Sequence, residues 1–98
     1  MKITFLKPAE QELSEAVEYY ETQSPGLGFE LFEEVWNAIE RISQHPEAWQ
    51  PLSQRARRCQ VKRFPYGVVY QFRKKANEIL IVAIAHLHRK PNYWHTRI

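Results

Sequence analysis

Along this chain the spacing of apolar residues changes period twice. Lys2 to Leu6 opens with Ile3 and Phe5 two apart, the alternation of a short strand with one covered face. Lys7-Pro8 ends it, and Pro8 suits a helix start, where its missing N–H leaves nothing unpaired. From Ala9 the apolar positions fall at Leu13, Ala16, Val17 and Tyr20, a helical spacing, with Glu10, Glu12, Glu15, Glu18 and Glu21 on the remaining faces. The turn cluster Ser24-Pro25-Gly26-Leu27-Gly28 separates this helix from a second one. There Leu27, Leu31, Val35, Ala38, Ile39 and Ile42 form a stripe, widened by Phe29, Phe32 and Trp36. So wide a stripe predicts packing on two sides, against the first helix and against a sheet. His45-Pro46 stops the helix.

Residues 47–56 carry no period and read as a loop. The period then becomes two. Cys59 and Val61 alternate with Gln60 and Lys62, Phe64-Pro65-Tyr66-Gly67 turns the chain, and Val68 to Phe72 is a strong strand. Lys74 to Glu78 turns it again. The run Ile79 to Leu87 is apolar on both faces, which places it centrally in a sheet. His88 to Ile98 is long enough only for a turn of helix or an extended tail. The pattern predicts an α+β fold in one domain, residues 1–98: an N-terminal strand, an αα-hairpin, then a three-strand antiparallel meander, with the helices on one face of the sheet.

Charge divides the chain in two. Residues 1–47 hold three cations against ten glutamates, a net −7, and residues 48–98 hold eleven against Glu78, a net +10. Segregation this strong repels itself and points to two faces with different partners, the basic one suited to nucleic acid or an acidic protein. A single cysteine, Cys59, excludes a disulfide framework and fits a reducing compartment. No segment approaches the roughly 20 apolar residues of a membrane span, and Met1-Lys2 opens nothing like a secretory leader, so the expectation is a cytoplasmic protein without a membrane partner.

Most catalytic classes find no support. There is no glycine-rich phosphate loop, and the absence of aspartate removes a Ser-His-Asp triad. The single cysteine and His45, His86, His88 and His95 match no zinc spacing, so neither a metal nor a cofactor is expected. What remains is cationic. Arg55 to Arg63 holds five cations in nine residues, with Arg58, Gln60 and Lys62 on one face of an alternating strand and Arg57 and Arg63 on the Cys59 side or at strand ends. Such a row binds phosphate, since guanidinium grips two oxygens at once. A second group in the tail, His86, His88, Arg89, Lys90, Tyr93, Trp94, His95 and Arg97, interleaves cations with large aromatics. Cleavage of RNA through its 2′-hydroxyl would need proton-transfer groups, for which His86 and Tyr93 qualify, and a cation on the phosphorane, for which Arg58 or Arg89 qualifies. Trp94 reads more simply as a hydrophobic anchor for the tail.

Several strings stand in order along the chain: Pro25-Gly26-Leu27-Gly28 entering a helix, Arg57-Arg58, Arg63-Phe64-Pro65-Tyr66, Val69-Tyr70, and Ala85-His86 with Arg89, Pro91, Tyr93, Trp94 and Arg97. Together they resemble the ParE/RelE family of bacterial toxins, often labelled plasmid stabilisation proteins. The resemblance runs nearly end to end. It implies a helical hairpin on a mainly antiparallel sheet and a cognate antitoxin whose C-terminal segment wraps the toxin, with a heterotetramer among the assemblies open to the pair. It implies one of two targets. RelE-like members cleave mRNA in the ribosome, which would make Arg58, His86, Arg89 and Tyr93 catalytic. ParE-like members poison DNA gyrase by binding, with Arg57, Arg58, Lys62, Arg63, Arg89, Lys90 and Arg97 as candidate contacts to the target. The Phe-Pro-Tyr and Tyr-Trp strings are closer to the ParE branch, so inhibition of gyrase is the expectation, with an mRNA endonuclease or a non-toxic partner-binding member as alternatives.

Overall fold

A computed structural model describes all of residues 1–98. Strand β1 (Lys2–Phe5) leads into helices α1 (Lys7–Gln23) and α2 (Leu27–Gln44), then strands β2 (Gln50–Pro51), β3 (Arg57–Gln60), β4 (Tyr66–Arg73) and β5 (Glu78–His86). The sheet order is β1-β5-β4-β3-β2. All neighbours are antiparallel except β1 and β5, which run parallel with Lys2 opposite Glu78 and Phe5 opposite Ile81. The expected elements are all present, and β5 lies inside the sheet as its two apolar faces require. One strand is additional: β2, two exposed residues of the segment read as a loop. A two-residue ladder has no alternation to detect, and Pro51 is tolerated because the strand is an edge.

The hairpin loop is tight for a physical reason. Gly28 packs so closely on the Val17 carbonyl that a β-carbon there would clash with backbone. The Glu21 carboxylate accepts from the Gly26 and Gly28 N–H groups at 2.8 and 3.0 Å, capping an α2 N-terminus that has no capping side chain of its own.

The helices cover one sheet face. Leu13 and Ala16 of α1 and Leu31, Val35, Ala38, Ile39 and Ile42 of α2 pack on Cys59, Val68, Tyr70, Ile79, Ile81 and Ile84. The width of the α2 stripe misleads on one point. The helix does pack on two sides, against α1 and the sheet, but Phe29, Phe32 and Trp36 are 61, 42 and 39% exposed, so the extra aromatics form an open surface beyond both. Phe32 and Trp36 line a groove of about 640 Å³ together with Phe5, Leu13 and Val17, and Glu10, Glu18 and Glu21 also line it.

The opposite face has its own core. Val69, Leu80, Val82, Ala83 and Ala56 are covered there by Trp94, which is 3% exposed, with Tyr93, Ile98 and Leu52 around it. A bulge makes this possible. Val69 lies opposite Ala83 but Tyr70 opposite Ile81, so Val82 is an extra residue, and Val82 and Ala83 both point to the tail side. The tail anchors on the face itself, not merely over its edge, and ends in a 3₁₀ turn, His95–Arg97.

Candidate functional site

Parallel pairing creates the site. β1 ends at Phe5, its last bond running from Leu6 N–H to the Ile81 carbonyl, and the rest of the β5 edge is left without a strand partner. Side chains satisfy it. Glu12, on α1, accepts from Ile84 N–H at 3.1 Å, and Arg97 donates to the Val82 carbonyl at 3.0 Å. The same Arg97 makes two parallel bonds of 3.0 Å to the two Glu12 oxygens. Tyr93 Oη donates to Glu12 at 2.8 Å, and the Arg89 guanidinium lies 3.6 Å from that carboxylate and 3.7 Å above the Tyr93 ring. One carboxylate therefore holds Tyr93, Arg89 and Arg97 together.

This network fixes protonation states. Burial, then the hydrogen bond to Glu12, pushes the Tyr93 hydroxyl far above the ordinary phenol range. The Glu12 bond raises Arg97 further, keeping it cationic. Tyr93 is thus a hydrogen-bond donor and not a ready base.

His86 closes the other side. Its Nδ1 accepts from the His88 N–H at 3.1 Å, so in the neutral ring the proton sits on Nε2. The ring meets Tyr66 edge-on at 5.1 Å and His88 at 5.3 Å, and no third His, Cys or carboxylate joins the pair in a cluster that could hold a metal. Arg58 arrives from β3 on the tail-facing side of the sheet, opposite Val69. Its alkyl stem lies over Gly67, where a β-carbon would come within 2.6 Å of Arg58 Cδ, and its guanidinium donates to Gln50 Oε1 at 2.9 Å. The structure brings Arg58, His86, Arg89 and Tyr93 to the wall of one cleft of about 100 Å³, with Lys90 at its mouth.

The other expected contact residues are divided. Arg57 faces the helix side, opposite Tyr70, and donates to the Trp49 carbonyl at 2.9 Å. Arg63, at φ 72° in the β3–β4 turn, is bonded to Glu30 of α2 at 2.6 Å with Glu34 beyond at 3.7 Å, so it clamps turn to helix. Lys62 lies past the end of β3 and is exposed, yet it shares a groove with Arg58 and Gln60. Cys59 is buried, which pushes its thiol up and removes it as a nucleophile.

Glu12 is the residue that sequence reasoning missed. Its signal lay in its position: it borders the buried Ala9-Leu13-Ala16 stripe, unlike a carboxylate on the outer face.

The sequence profile of the ParE toxin of type II toxin–antitoxin systems, parDE, matches residues 3–91. The chain belongs to this family. The ParE family match stops before Tyr93, Trp94 and Arg97, so the tail anchor and two arms of the Glu12 network lie outside it. Among solved structures, a chain from the chromosomal ParDE system of P. aeruginosa superposes with a TM-score of 0.76 at 15% identity, covering 90% of this chain and 97% of that one. The isolated E. coli RelE toxin superposes with a TM-score of 0.65 at 13% identity, covering 98% and 94%. At such identities these likenesses establish the shared α+β fold. No curated protein matches the chain. Membership of this toxin family implies a cognate antitoxin. No helix is long and apolar enough to cross a membrane.

Proposed function

We propose that this toxin acts on DNA gyrase by binding and performs no cleavage of its own. The observation that carries this reading is the state of Tyr93. Its hydroxyl is committed to Glu12 and pushed further from ionisation by burial, which leaves only His86 and the exposed Lys90 to move protons at the cleft. Cleavage through a 2′-hydroxyl needs a base and an acid. The cleft also measures about 100 Å³, well below the roughly 300 Å³ at which pockets begin to hold small ligands, so a nucleotide does not fit as the cleft stands.

Binding surface, by contrast, is plentiful. The exposed aromatics of α2 and the groove beside them offer a protein partner an apolar patch with a carboxylate rim. On this reading the antitoxin neutralises by covering surface, not by blocking a reaction.

Purified toxin added to a supercoiling reaction with gyrase tests this. Loss of supercoiling with accumulation of cleaved, protein-linked DNA is expected. Full gyrase activity at a large molar excess of toxin, together with mRNA cut in a translating extract, would replace this reading with the endonuclease.

A further inference from the structure

Strand β4 is twice as long as β3, eight residues against four. Their pairing ends at Arg57 opposite Tyr70, so Gln71, Phe72 and Arg73 run on with no strand beside them on that side. The bond from Val61 N–H to the Tyr66 carbonyl, 2.9 Å long, sets the alternation. Tyr66, Val68, Tyr70 and Phe72 turn their backbone N–H and C=O toward β3, and the residues between them turn theirs toward β5. In this register Phe72 would face Arg55. The Arg55 N–H turns back instead to Ser53 Oγ at 3.2 Å. The Phe72 N–H and C=O then look into a pocket of about 310 Å³ between β4, the β2–β3 loop and Glu47. Its volume lies at the lower end of the range that holds small ligands.

An open strand edge is a template for another chain, and this pocket restricts which chain. It lies on the line β3 would follow if it began earlier, and Ala56 and Arg57 close one end. A chain added there must stop. The stop is cationic, since Arg55 and Arg57 both line the pocket. Arg55 is exposed and in no ion pair, and Arg57 is tied only to the Trp49 carbonyl. Glu47, the one carboxylate in the wall, lies 3.7 Å from Lys74. An N-terminal ammonium is repelled at such an end, whereas a C-terminal carboxylate suits guanidinium groups.

We propose that this pocket binds the free C-terminus of an extended peptide from a partner protein. The peptide runs antiparallel to β4. Its last residue donates its N–H to the Phe72 carbonyl, one carboxylate oxygen accepts from the Phe72 N–H, and Arg55 and Arg57 hold the other. Backbone and carboxylate carry the recognition, so side-chain sequence matters little. The pocket shares no residue with the hairpin groove or the tail cleft, and its role does not depend on gyrase being the target.

NMR titration of the full isotopically labelled chain tests the proposal. The probes are a pool of short peptides of randomised sequence ending in a free carboxylate, and the same pool ending in an amide. The free-acid pool should move the Phe72 amide and Arg55 side-chain signals. It should bind about ten-fold more tightly than the amide pool, the difference one charge-assisted bond makes. Arg55→Gln should reduce that preference to a few-fold or less. Arg55 is exposed, so this variant keeps its fold, and Lys75→Gln, in the β4–β5 turn, is the charge-matched control that should leave the preference intact. Four results would overturn the proposal: no shift at Phe72 with millimolar free-acid pool, equal affinity for the two pools, equal losses from Lys75→Gln and Arg55→Gln, or acetate alone moving Phe72 and Arg55 as strongly as the peptides.

Discussion

Glu12 and Arg97 stand 85 positions apart and meet through two hydrogen bonds of 3.0 Å, closing the C-terminal tail onto the first helix. Both side chains are largely covered, at 13 and 18% exposure, so the pair is screened far less than a surface ion pair. Glu12→Gln keeps the shape but leaves Arg97 and Arg89 without their counter-charge. Stability should fall by about 2–3 kcal/mol in urea unfolding. Trypsin should also cut after Arg89 faster than in the parent, because the tail then loses its ionic tie to α1 and keeps only its packing around Trp94 and the Arg97 bond to the Val82 carbonyl.

Tyr93→Phe separates structure from chemistry. It removes one hydrogen bond to a charged acceptor and should cost about 1–2 kcal/mol. At matched expression, growth inhibition should persist, since a binding toxin has no use for the phenol as an acid or base. Complete loss of toxicity in a variant that still folds and still binds its antitoxin would contradict action by binding alone.

The two sets of large aromatics should behave oppositely. Trp94→Ala opens a cavity in the second core and should destabilise by about 3–5 kcal/mol. Phe29→Ala, at a position 61% exposed, should change stability by no more than about 0.5 kcal/mol. Thermal or urea unfolding of both variants checks the contrast.

Alkaline pH should loosen the fold through Tyr70. This tyrosine is fully buried, donates to the Pro46 carbonyl at 2.6 Å, and is pushed by burial up to about 12. Between the ordinary phenol value near 10 and about 12 the unfolded chain has released that proton and the folded chain has not. The unfolded state then binds fewer protons, so stability falls as pH rises through this window and is unaffected by Tyr70 below it. Urea midpoints measured from about pH 8 to pH 12 should decline over the upper part of the range, and Tyr70→Phe should flatten that decline from a lower starting stability.

Local pattern made much of this legible in advance. The helices, the central strand and the anchoring role of Trp94 follow from period and amphipathicity, which act over a few residues. What escaped was set by pairing across long separations. Placing β1 parallel to β5 leaves Val82 and Ile84 in need of side-chain partners, and no local rule names Glu12 and Arg97 as those partners. Arg63 resembles a free binding cation until α2 folds beside it and supplies Glu30, 33 positions away. Phe32 and Trp36 carry a core signature yet remain partly exposed, because hydrophobic spacing does not distinguish a packed face from an open one.

Whether the toxin arrests cells through gyrase or through mRNA decides the functional reading. Inducing the chain alone in bacteria and following thymidine and amino acid incorporation through the first minutes asks this of the cell itself. Early loss of DNA synthesis while translation continues is the result expected of a gyrase poison. Early loss of amino acid incorporation with DNA synthesis intact would contradict that reading and return His86, Arg89 and Tyr93 to a chemical role.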